Sequence, residues 1–492
     1  MQYFFAVLET LEQGEDDYVY LDCISAETFN GMRRHGTLLK CSKNERIPYV
    51  GNILKVNRSY LSPSLIERVT ETRSRVWLKL SVAEEGESPN FANIPVQFVS
   101  LVAENTEGLR PELYISAPQE TEPDTQQQAE KLFTVSSQGA ENLDALIEEL
   151  RPALSERRKH VVAYRIGQGN CNAIVDQAEH PIVFFDLGWP IQSNSGGAPS
   201  PAPDLFSVRS GTSGPSPVVL SHWDWDHWAY ALESWSYDRS VRGARPQWKS
   251  DAVERAWLAS RPGKGLKLGP SHYNLIEELL RRRINGRRAL HLWPATRDVH
   301  RIADLAILKC TPPRGMTLDR NNSGLAVAVR INDGAEDGWV LLPGDADFRS
   351  VPLKKHIPEV KPETLVGMVA SHHGGKLDVF SIPTTTVEGA RLVVSTGPNP
   401  YGHPNKQMLA NYALRGWKSQ VLTTEVATCV GACVPPHGVG ALLVQPSSFA
   451  WPKCGCDEIP NANMSVAHTR PHIGIRPPTV FEVRHCPFDL CI

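Results

Sequence analysis

The segment SHWDWDHW at positions 221–228 concentrates side chains that can bind metal. Within six residues it holds His222, Asp224, Asp226 and His227. The apolar residues 217–220 before it predict a short buried strand, which ends where these side chains begin. Carboxylates placed so close together repel one another unless one or two divalent cations neutralise them. The spacing therefore predicts the main ligand loop of a metal-dependent hydrolase.

Three later segments repeat this arrangement of an apolar strand followed by a candidate ligand. They contribute Asp345 after Gly344, the pair His372 and His373, and His403. A lone histidine or aspartate is more often structural than catalytic. Recurrence at several strand ends changes that expectation, because the strands of a layered sheet bring their ends to a common edge. We expect the strands of this region at 253–259, 305–310, 325–331, 338–343, 365–370 and 391–395.

Seven short motifs follow one another in a fixed order through residues 160–445. They are Gly167-Gln168-Gly169, Asp186-Leu187-Gly188, Ser221 to His227, Asn322-Ser323, Gly344-Asp345, Ser371 to Gly374, and Asn399 to Pro404. In this order they resemble the metallo-β-lactamase superfamily and, within it, the soluble domain of the competence protein ComEC and its stand-alone relatives. The resemblance implies an α/β fold of the four-layer αββα type for this region.

The resemblance also implies a centre of two divalent metal ions, either zinc or manganese. His222 and Asp224 would hold the first ion, and Asp226 and His227 the second. Asp345 would bridge both. The second site would be completed by His372, with His373 behind it, although the sequence leaves open which histidine of this pair is the ligand.

Further roles follow from the same resemblance. Asp186 would lie behind the cluster and orient a ligand histidine or the loop backbone. His403 would face the substrate, either as a proton donor or as a contact to a phosphate oxygen. Asp226, His403 and Asn322 are therefore the candidate catalytic residues.

Three departures from the wider superfamily affect the expected metal and the pocket. Asp224 stands where a second histidine is usual, and Asn321 or Asn322 lies near the place of another missing histidine. A site richer in oxygen ligands favours manganese or magnesium relative to zinc, and the first ion would bind more weakly or only with substrate. Bulky residues 228–230 replace a small Gly-Gly step, so we expect Trp223 and Trp225 to shape the pocket rim with them.

Two such ions about 3.5–4 Å apart would share a bridging water and lower its pKa towards neutrality. The resulting hydroxide would attack a phosphorus or carbonyl centre. Phosphodiester hydrolysis of nucleic acid or a nucleotide fits best, because the ComEC-like group is nuclease-like and no cysteine lies among the ligands. The alternatives are a metal-dependent esterase or amide hydrolase of a small metabolite, and a non-catalytic scaffold or regulatory subunit.

The chain of 492 residues exceeds one ordinary core, so we expect several domains. Residues 1–116 predict a β-rich domain that could dock a protein partner. Residues 117–159 predict a linker, polar and proline-bearing at 117–128, and then a helix at 143–154. The hydrolase domain spans 160–446, and a Cys/His-rich tail spans 447–492. Within the hydrolase domain, residues 191–217 predict a long loop, either a surface insertion or a flap over the site.

Composition limits the classes of partner. The net charge of −3 gives no general basis for binding nucleic acid or acidic membranes. Arginines between 281 and 288 could grip a phosphate backbone, or could belong to a helix C-terminus capped by Asn285 and Gly286. No apolar run approaches the length of a membrane span, and the N-terminus has no basic leader. We therefore expect a cytoplasmic enzyme without membrane contact.

Six of the ten cysteines lie from position 429 onward. They are Cys429, Cys433, Cys454, Cys456, Cys486 and Cys491. In a reducing compartment such a cluster indicates metal more than disulfides, and a structural zinc would staple a segment that has little apolar material of its own. Free buried thiols or a disulfide formed on extraction are the alternatives, and the spacings do not identify a ligand set.

Overall fold

The structure of the chain is a computed structural model. It describes residues 2–9, 17–35, 49–71, 75–84, 94–102, 112–135, 143–144, 146, 151, 154–155, 159–176, 180–191, 204–206, 214–262, 268–316, 318–332, 337–397, 402–423 and 441–444. The cysteines predicted to bind zinc, most of the loop at 191–217, and Asn399 and Tyr401 of the last motif lie outside these residues. In the described part, no helix is both long and apolar enough to cross a membrane.

A closed antiparallel barrel forms the N-terminal region. Its strands and the short strand that follows them are β1 (Gln2–Glu9), β2 (Tyr18–Ser25), β3 (Gly51–Asn57), β4 (Trp77–Glu84), β5 (Ile94–Phe98), β6 (Leu113–Ile115) and β7 (Gln119–Glu120). The barrel closes in the order β1-β2-β3-β5-β6-β4, because β3 pairs with β5 and β4 pairs with both β6 and β1. Closure leaves no unpaired sheet edge among these six strands.

Helices α1 (Ala26–His35), α2 (Pro63–Glu71) and α3 (Pro123–Leu132) accompany the barrel. The prediction of a linker at 117–128 is wrong, because β7 pairs with β4 and α3 packs on the barrel. The Gln126 side chain accepts a hydrogen bond from the Trp77 backbone N–H at 3.0 Å. Glu130 pairs with the largely buried Arg75 at 3.0 Å. A polar, proline-bearing stretch resembles a linker in composition, but here its polar side chains form hydrogen bonds and ion pairs with residues of the barrel.

Two seven-stranded sheets follow the barrel. The first has the order β19-β16-β11-β10-β9-β8-β27 and includes a strand from the end of the described chain. Its strands and the short strands between them are β8 (Lys159–Tyr164), β9 (Cys171–Asp176), β10 (Pro181–Leu187), β11 (Val218–Leu220), β12 (Leu232–Ser234), β13 (Tyr237–Asp238), β14 (Gly243–Ala244), β15 (Gln247–Trp248), β16 (Trp257–Ala259), β17 (Arg283–Ile284), β18 (Arg287–Arg288) and β19 (Leu290–Leu292). From β10 onward its inner strands run parallel.

The second sheet runs in chain order from one edge to the other. Its strands are β20 (Val299–Ile302), β21 (Leu305–Lys309), β22 (Leu325–Asn332), β23 (Asp337–Leu342), β24 (Leu365–Val369), β25 (Arg391–Val394) and β26 (Ser419–Leu422), and β27 (Ala441–Leu443) returns to the first sheet. The strands predicted at 305–310, 325–331, 338–343, 365–370 and 391–395 all appear within a residue of these bounds. The last four strands are parallel neighbours, so they end at one edge.

The two sheets pack face to face, and each also buries its outer face. Between them lie apolar residues such as Val161 and Phe185 of the first sheet and Val327 and Val340 of the second. The outer face of the second sheet is covered by short turns and by helices α6 (Leu353–His356) and α7 (Lys406–Leu414), which follow α4 (Ser250–Val253) and α5 (Pro270–Arg281).

The prediction of a four-layer αββα fold is wrong. The structure is rich in β-strands, and the outer face of the first sheet packs mainly against the six-stranded barrel and a set of tryptophans, with α5 as its one sizeable described helix. Only α5 and α7 among the described helices beyond residue 250 reach nine residues or more. The resemblance, which covers residues 160–445, implied two outer helical layers. The barrel that replaces one of these layers is formed by residues outside that range.

Two local predictions also need correction. Residues 250–253 form α4, so the strand predicted at 253–259 begins only at Trp257. Asn285 and Gly286, expected to cap a helix, instead form the tight turn between β17 and β18, and both have positive φ.

The barrel and the first sheet share one continuous hydrophobic core. Phe4 of β1 is fully buried in it, together with residues of β10, β11 and α5. We therefore expect Phe4→Ala to lower the free energy of unfolding by about 3–5 kcal/mol through the cavity that it leaves. Urea unfolding, followed by circular dichroism and tryptophan fluorescence, should show a single transition shifted to lower urea.

Phe380→Ala is the matched control, because the Phe380 side chain is 85% exposed, and its transition should stay with that of the wild type. Two separate transitions, of which Phe4→Ala moves only one, would contradict a common core.

Candidate metal centre

The candidate ligands lie beyond the carboxyl ends of parallel strands in the two sheets. Asp186 is at the end of β10, and His222 to His227 follow β11. Asp345 follows β23, and His372 and His373 follow β24. This convergence explains why a repeated pattern of strand and ligand marks one site.

Asp186 organises the main loop from behind. Its fully buried carboxylate accepts hydrogen bonds from the Ser221 backbone N–H at 2.6 Å and from the Ser221 hydroxyl at 2.8 Å. The same carboxylate lies 2.9 Å from Nδ1 of His227. An imidazole that donates from Nδ1 turns its Nε2 lone pair to the opposite side, towards the cluster. Asp186 therefore holds His227 in the tautomer that a metal ligand needs.

Four side chains enclose a small volume at the centre of the site. Nε2 of His227 lies 3.3 Å from Oδ1 of Asp345 and 3.9 Å from Oδ1 of Asp226. Nε2 of His373 lies 3.2 Å from Oδ2 of Asp226 and 3.7 Å from Oδ2 of Asp345. We call these four residues the central cluster. Two imidazole nitrogens and two carboxylates form a donor set that suits a divalent cation.

Unsatisfied nitrogen atoms support this interpretation. Nε2 of His222, His227 and His373 is buried in each case and makes no hydrogen bond to any described residue. Nδ1 of His373 lies 2.9 Å from the Ser395 backbone oxygen, which fixes its ring as Asp186 fixes that of His227. Buried polar atoms without partners cost free energy, and a metal ion would satisfy them. The residues present therefore fit a metal ion.

The pKa shifts in the central cluster also favour a bound cation. Burial opposes ionisation of Asp345, yet His227 and His373 hold the pKa of its carboxyl well below the usual range. Burial also lowers the pKa of His227, but Asp345, Asp186 and Asp226 outweigh burial and raise that pKa well above its ordinary value. The carboxylates thus attract positive charge into the cluster, which is what a divalent cation would supply.

Asp224, predicted as a ligand of the first metal, has a different neighbour. Its Oδ1 lies 2.9 Å from Nε of Arg320, and its Oδ2 lies 3.3 Å from Nε2 of His222. Burial opposes its charge, but Arg320 and His222 lower the pKa of Asp224 far below the usual range. Three groups of described residues have atoms close enough to share one ion; one of them joins His222 to His227 and Asp345, and none contains Asp224.

The pair at the end of β24 is resolved by geometry. His373 is buried and belongs to the central cluster, whereas His372, predicted as the ligand, has its Nδ1 4.0 Å from Oδ2 of Asp345 and lies towards the rim. Both residues have positive φ, 53° and 50°. Consecutive left-handed residues are costly outside glycine, so the surrounding structure must impose them.

The two other predicted catalytic residues, His403 and Asn322, lie outside the central cluster. The ring of His403 contacts that of His372 at a centroid distance of 5.0 Å, on the rim. Burial, with His372 and His373, lowers the pKa of His403 to about 3, so its ring is neutral at pH 7. Asn322 donates to Asp319 at 3.0 Å and accepts from the Asp347 backbone N–H at 3.0 Å. Asn322 therefore links the segment that contains Asp319 to the loop that follows β23.

The tryptophans of the main loop are core residues, which corrects the expectation that they shape the pocket rim. Trp223, Trp225 and Trp228 are each at most 2% exposed. Nε1 of Trp225 donates to the Ser271 hydroxyl at 2.8 Å, and its ring stacks on His272 of α5 with centroids 5.4 Å apart. They therefore fasten the ligand loop to the layer that covers the first sheet.

Sequence reasoning missed two residues that touch the ligands. Asn170 donates from Nδ2 to Oδ1 of Asp345 at 3.1 Å, and its position directly after the Gly167-Gln168-Gly169 motif was an available signal. Arg320 was missed because its partners, Glu9 and Asp224, are far from it in the sequence.

Comparisons with known proteins add no identification. No family model matches the chain, and no curated protein matches it. A mutant of the CmlA β-hydroxylase aligns with 54% of this chain and 52% of its own, at 10% identity and a TM-score of 0.28. A protein of unknown function from Enterococcus faecalis aligns with 55% of this chain and 58% of its own, at 12% identity and a TM-score of 0.24. The chain thus spans little more than half the length of these structures, and similarities this weak carry no argument about its fold or activity.

Backbone contacts that only glycine permits hold the ligand loop in place. A Cβ added at Gly188 would lie 2.0 Å from the Asp226 carbonyl oxygen and 2.4 Å from that of Asn170. We expect Gly188→Ala to displace the loop and weaken binding of Mn²⁺ about tenfold or more, since a shift of about 1 Å spoils a preorganised site. Isothermal titration calorimetry with Mn²⁺ measures the change.

Gly214→Ala is the control, because no atom lies within 4 Å of a Cβ placed there. A Gly188→Ala protein that binds Mn²⁺ as tightly as wild type would contradict the proposed dependence of the site on this contact.

Asp186 can be tested separately by Asp186→Asn. The amide has nearly the same shape, but its NH2 group only donates, so it cannot accept from both the Ser221 backbone N–H, which binds Oδ1, and Nδ1 of His227, which binds Oδ2. We expect Mn²⁺ affinity to fall about 10–100-fold while the circular dichroism spectrum is retained. Unchanged affinity in calorimetry would show that Asp186 does not orient His227 for metal.

Proposed function

We propose that the region from 160 to 446 is a metal-dependent hydrolase, and that its substrate is a phosphodiester in nucleic acid or a nucleotide. The central cluster carries this proposal, since two buried imidazole nitrogens without hydrogen-bond partners face two carboxylates at 3.2–3.9 Å. Packing alone gives no reason to bury these groups together. A divalent cation bound there would act as a Lewis acid towards water and the substrate.

The protein's own residues would divide the remaining work. Asp226, His227, Asp345 and His373 would hold the cation, and Asp186, Asn170 and Ser395 would orient them. His372 and His403, at the rim, would offer ring nitrogens to substrate oxygens. Arg320 would add a fixed positive charge beside the site, which favours an anionic substrate.

The choice of a phosphodiester rests on the ordered motifs that resemble the ComEC-like group and on a ligand set without cysteine. The arginines between 281 and 288 add little support. Arg282 pairs with Glu278 at 2.6 Å and with Glu254 at 3.0 Å, and Arg281 pairs with Glu277. The charges of these two arginines are thus compensated within the protein, as expected for a helix end.

The proposal predicts Mn²⁺-dependent hydrolysis of bis-(p-nitrophenyl) phosphate by the full chain. We expect His227→Ala to reduce the rate at least about a hundredfold, since residues that only orient a ligand are already worth about 10–100-fold. His180→Ala, which changes a part-exposed histidine paired with Asp176, should keep the wild-type rate. The release of nitrophenolate, followed by its visible absorbance, measures both rates.

The rival functions give different results. Hydrolysis of p-nitrophenyl acetate without the phosphodiester would favour an esterase, and wild-type turnover by the His227→Ala protein would sink the hydrolase proposal. No turnover with zinc, manganese or magnesium, together with tight binding of a protein by residues 1–116, would favour a scaffold or regulatory subunit.

A further inference from the structure

Arg320 lies between the barrel and the ligand loop and contacts both. Its Nε is 2.9 Å from Oδ1 of Asp224, and its Nη2 is 2.7 Å from Oε2 of Glu9 on β1. Its Nη1 is 3.2 Å from Nε2 of His272 on α5. The Arg320 side chain is only 15% exposed. Each of its three nitrogen atoms therefore faces a partner, and the guanidinium is fixed in one place.

The barrel side of this contact is itself rigid. Glu9 is 2% exposed and accepts a hydrogen bond from the Gly269 backbone N–H at 3.1 Å. The neighbouring Asp22 of β2 accepts from the Ser271 hydroxyl at 2.6 Å. Both carboxylates lie at the start of α5, and burial raises the pKa of each. Arg320 pairs with Glu9 of this pair, and its charge opposes the rise in the pKa of both carboxyls, so the barrel anchors it.

Arg320 changes what Asp224 can do. The Arg320 guanidinium lies 2.9 Å from Oδ1 of Asp224 and so places a positive charge at an oxygen that a metal ion would need, while Oδ2 lies 3.3 Å from Nε2 of His222. A divalent cation at the same place would meet the fixed positive charge of Arg320 within a few ångströms, and like charges at that range repel strongly in a buried site. Among the described ion pairs, Arg320 contacts Glu9 and Asp224 and no member of the central cluster.

We infer that Arg320 takes the place of a second metal ion, so that the site holds one divalent cation on the central cluster, with Arg320 as the fixed positive charge beside Asp224. This inference rests on the proposed metal centre. Arg320 is a positioning residue for Asp224, and it makes the barrel part of the site, since Glu9 holds the arginine from the opposite side.

Calorimetric titration of the full chain with Mn²⁺ tests the inference without reference to activity. Mn²⁺ is chosen because the thiolates of the cysteine-rich region prefer softer metals such as zinc. We expect one equivalent in wild type, lost in His373→Ala. Asp224→Asn should leave the affinity for that ion within about threefold, because Asp224 is not its ligand.

The paired variant Glu9→Gln/Arg320→Met should gain a second equivalent of Mn²⁺, or bind it at least about tenfold more tightly, because the repelling charge is removed. Glu9→Gln avoids leaving a buried carboxylate without its cation. Arg330→Met is the matched control, because Arg330 pairs with Asp337 at the surface, and it should bind one equivalent.

Two equivalents of similar affinity in wild type, with one lost in Asp224→Asn, would overturn the inference and leave the metal centre in place. A folded Glu9→Gln/Arg320→Met protein that still binds one equivalent as wild type does would also overturn it. Mn²⁺ binding that is absent, or unchanged by His373→Ala, would overturn the metal centre and the inference together.

Discussion

Four carboxylates converge in a largely buried site, and the electrostatic cost of bringing them together requires a compensating partner for each. Asp186, Asp224, Asp226 and Asp345 are drawn together by strands that end at one edge. Each finds a different compensation. Asp186 accepts hydrogen bonds from Ser221 and His227, and Asp224 forms an ion pair with Arg320. Asp226 and Asp345 face imidazoles that a cation would bridge. Burial without such partners would cost several kilocalories per mole for each charge.

Local patterns in the sequence predicted most of the strands and which strand ends carry the candidate ligands. An apolar run followed by histidine or aspartate needs only neighbouring residues to be recognised, so β11 and β22 to β25 and the residues beyond them were found. The choice between His372 and His373 could not be made in this way, because both backbones are left-handed and only the surrounding loops determine which ring turns inward.

Long-range pairing accounts for what the sequence did not predict. The barrel closes through β3 and β5, and β27 joins the first sheet far from its neighbour β8 in the chain. Arg320 and Glu9 are separated by 311 positions. Neither the hydrophobic periodicity nor the composition of a segment indicates which distant residues it will contact. The αββα expectation failed for the same reason, since the layer that covers the first sheet comes from residues outside the motifs that suggested the fold.

The contact between Glu9 and Arg320 also bears on how this protein can change over time. In many multidomain chains an accessory domain is a cassette, which recombination can exchange while the catalytic part keeps working. Here the first strand of the accessory barrel supplies the counter-ion of an arginine that touches the ligand loop, and the two regions share one core. A replacement barrel would need a buried carboxylate at the position of Glu9, so we expect the barrel and the two sheets to evolve as one unit.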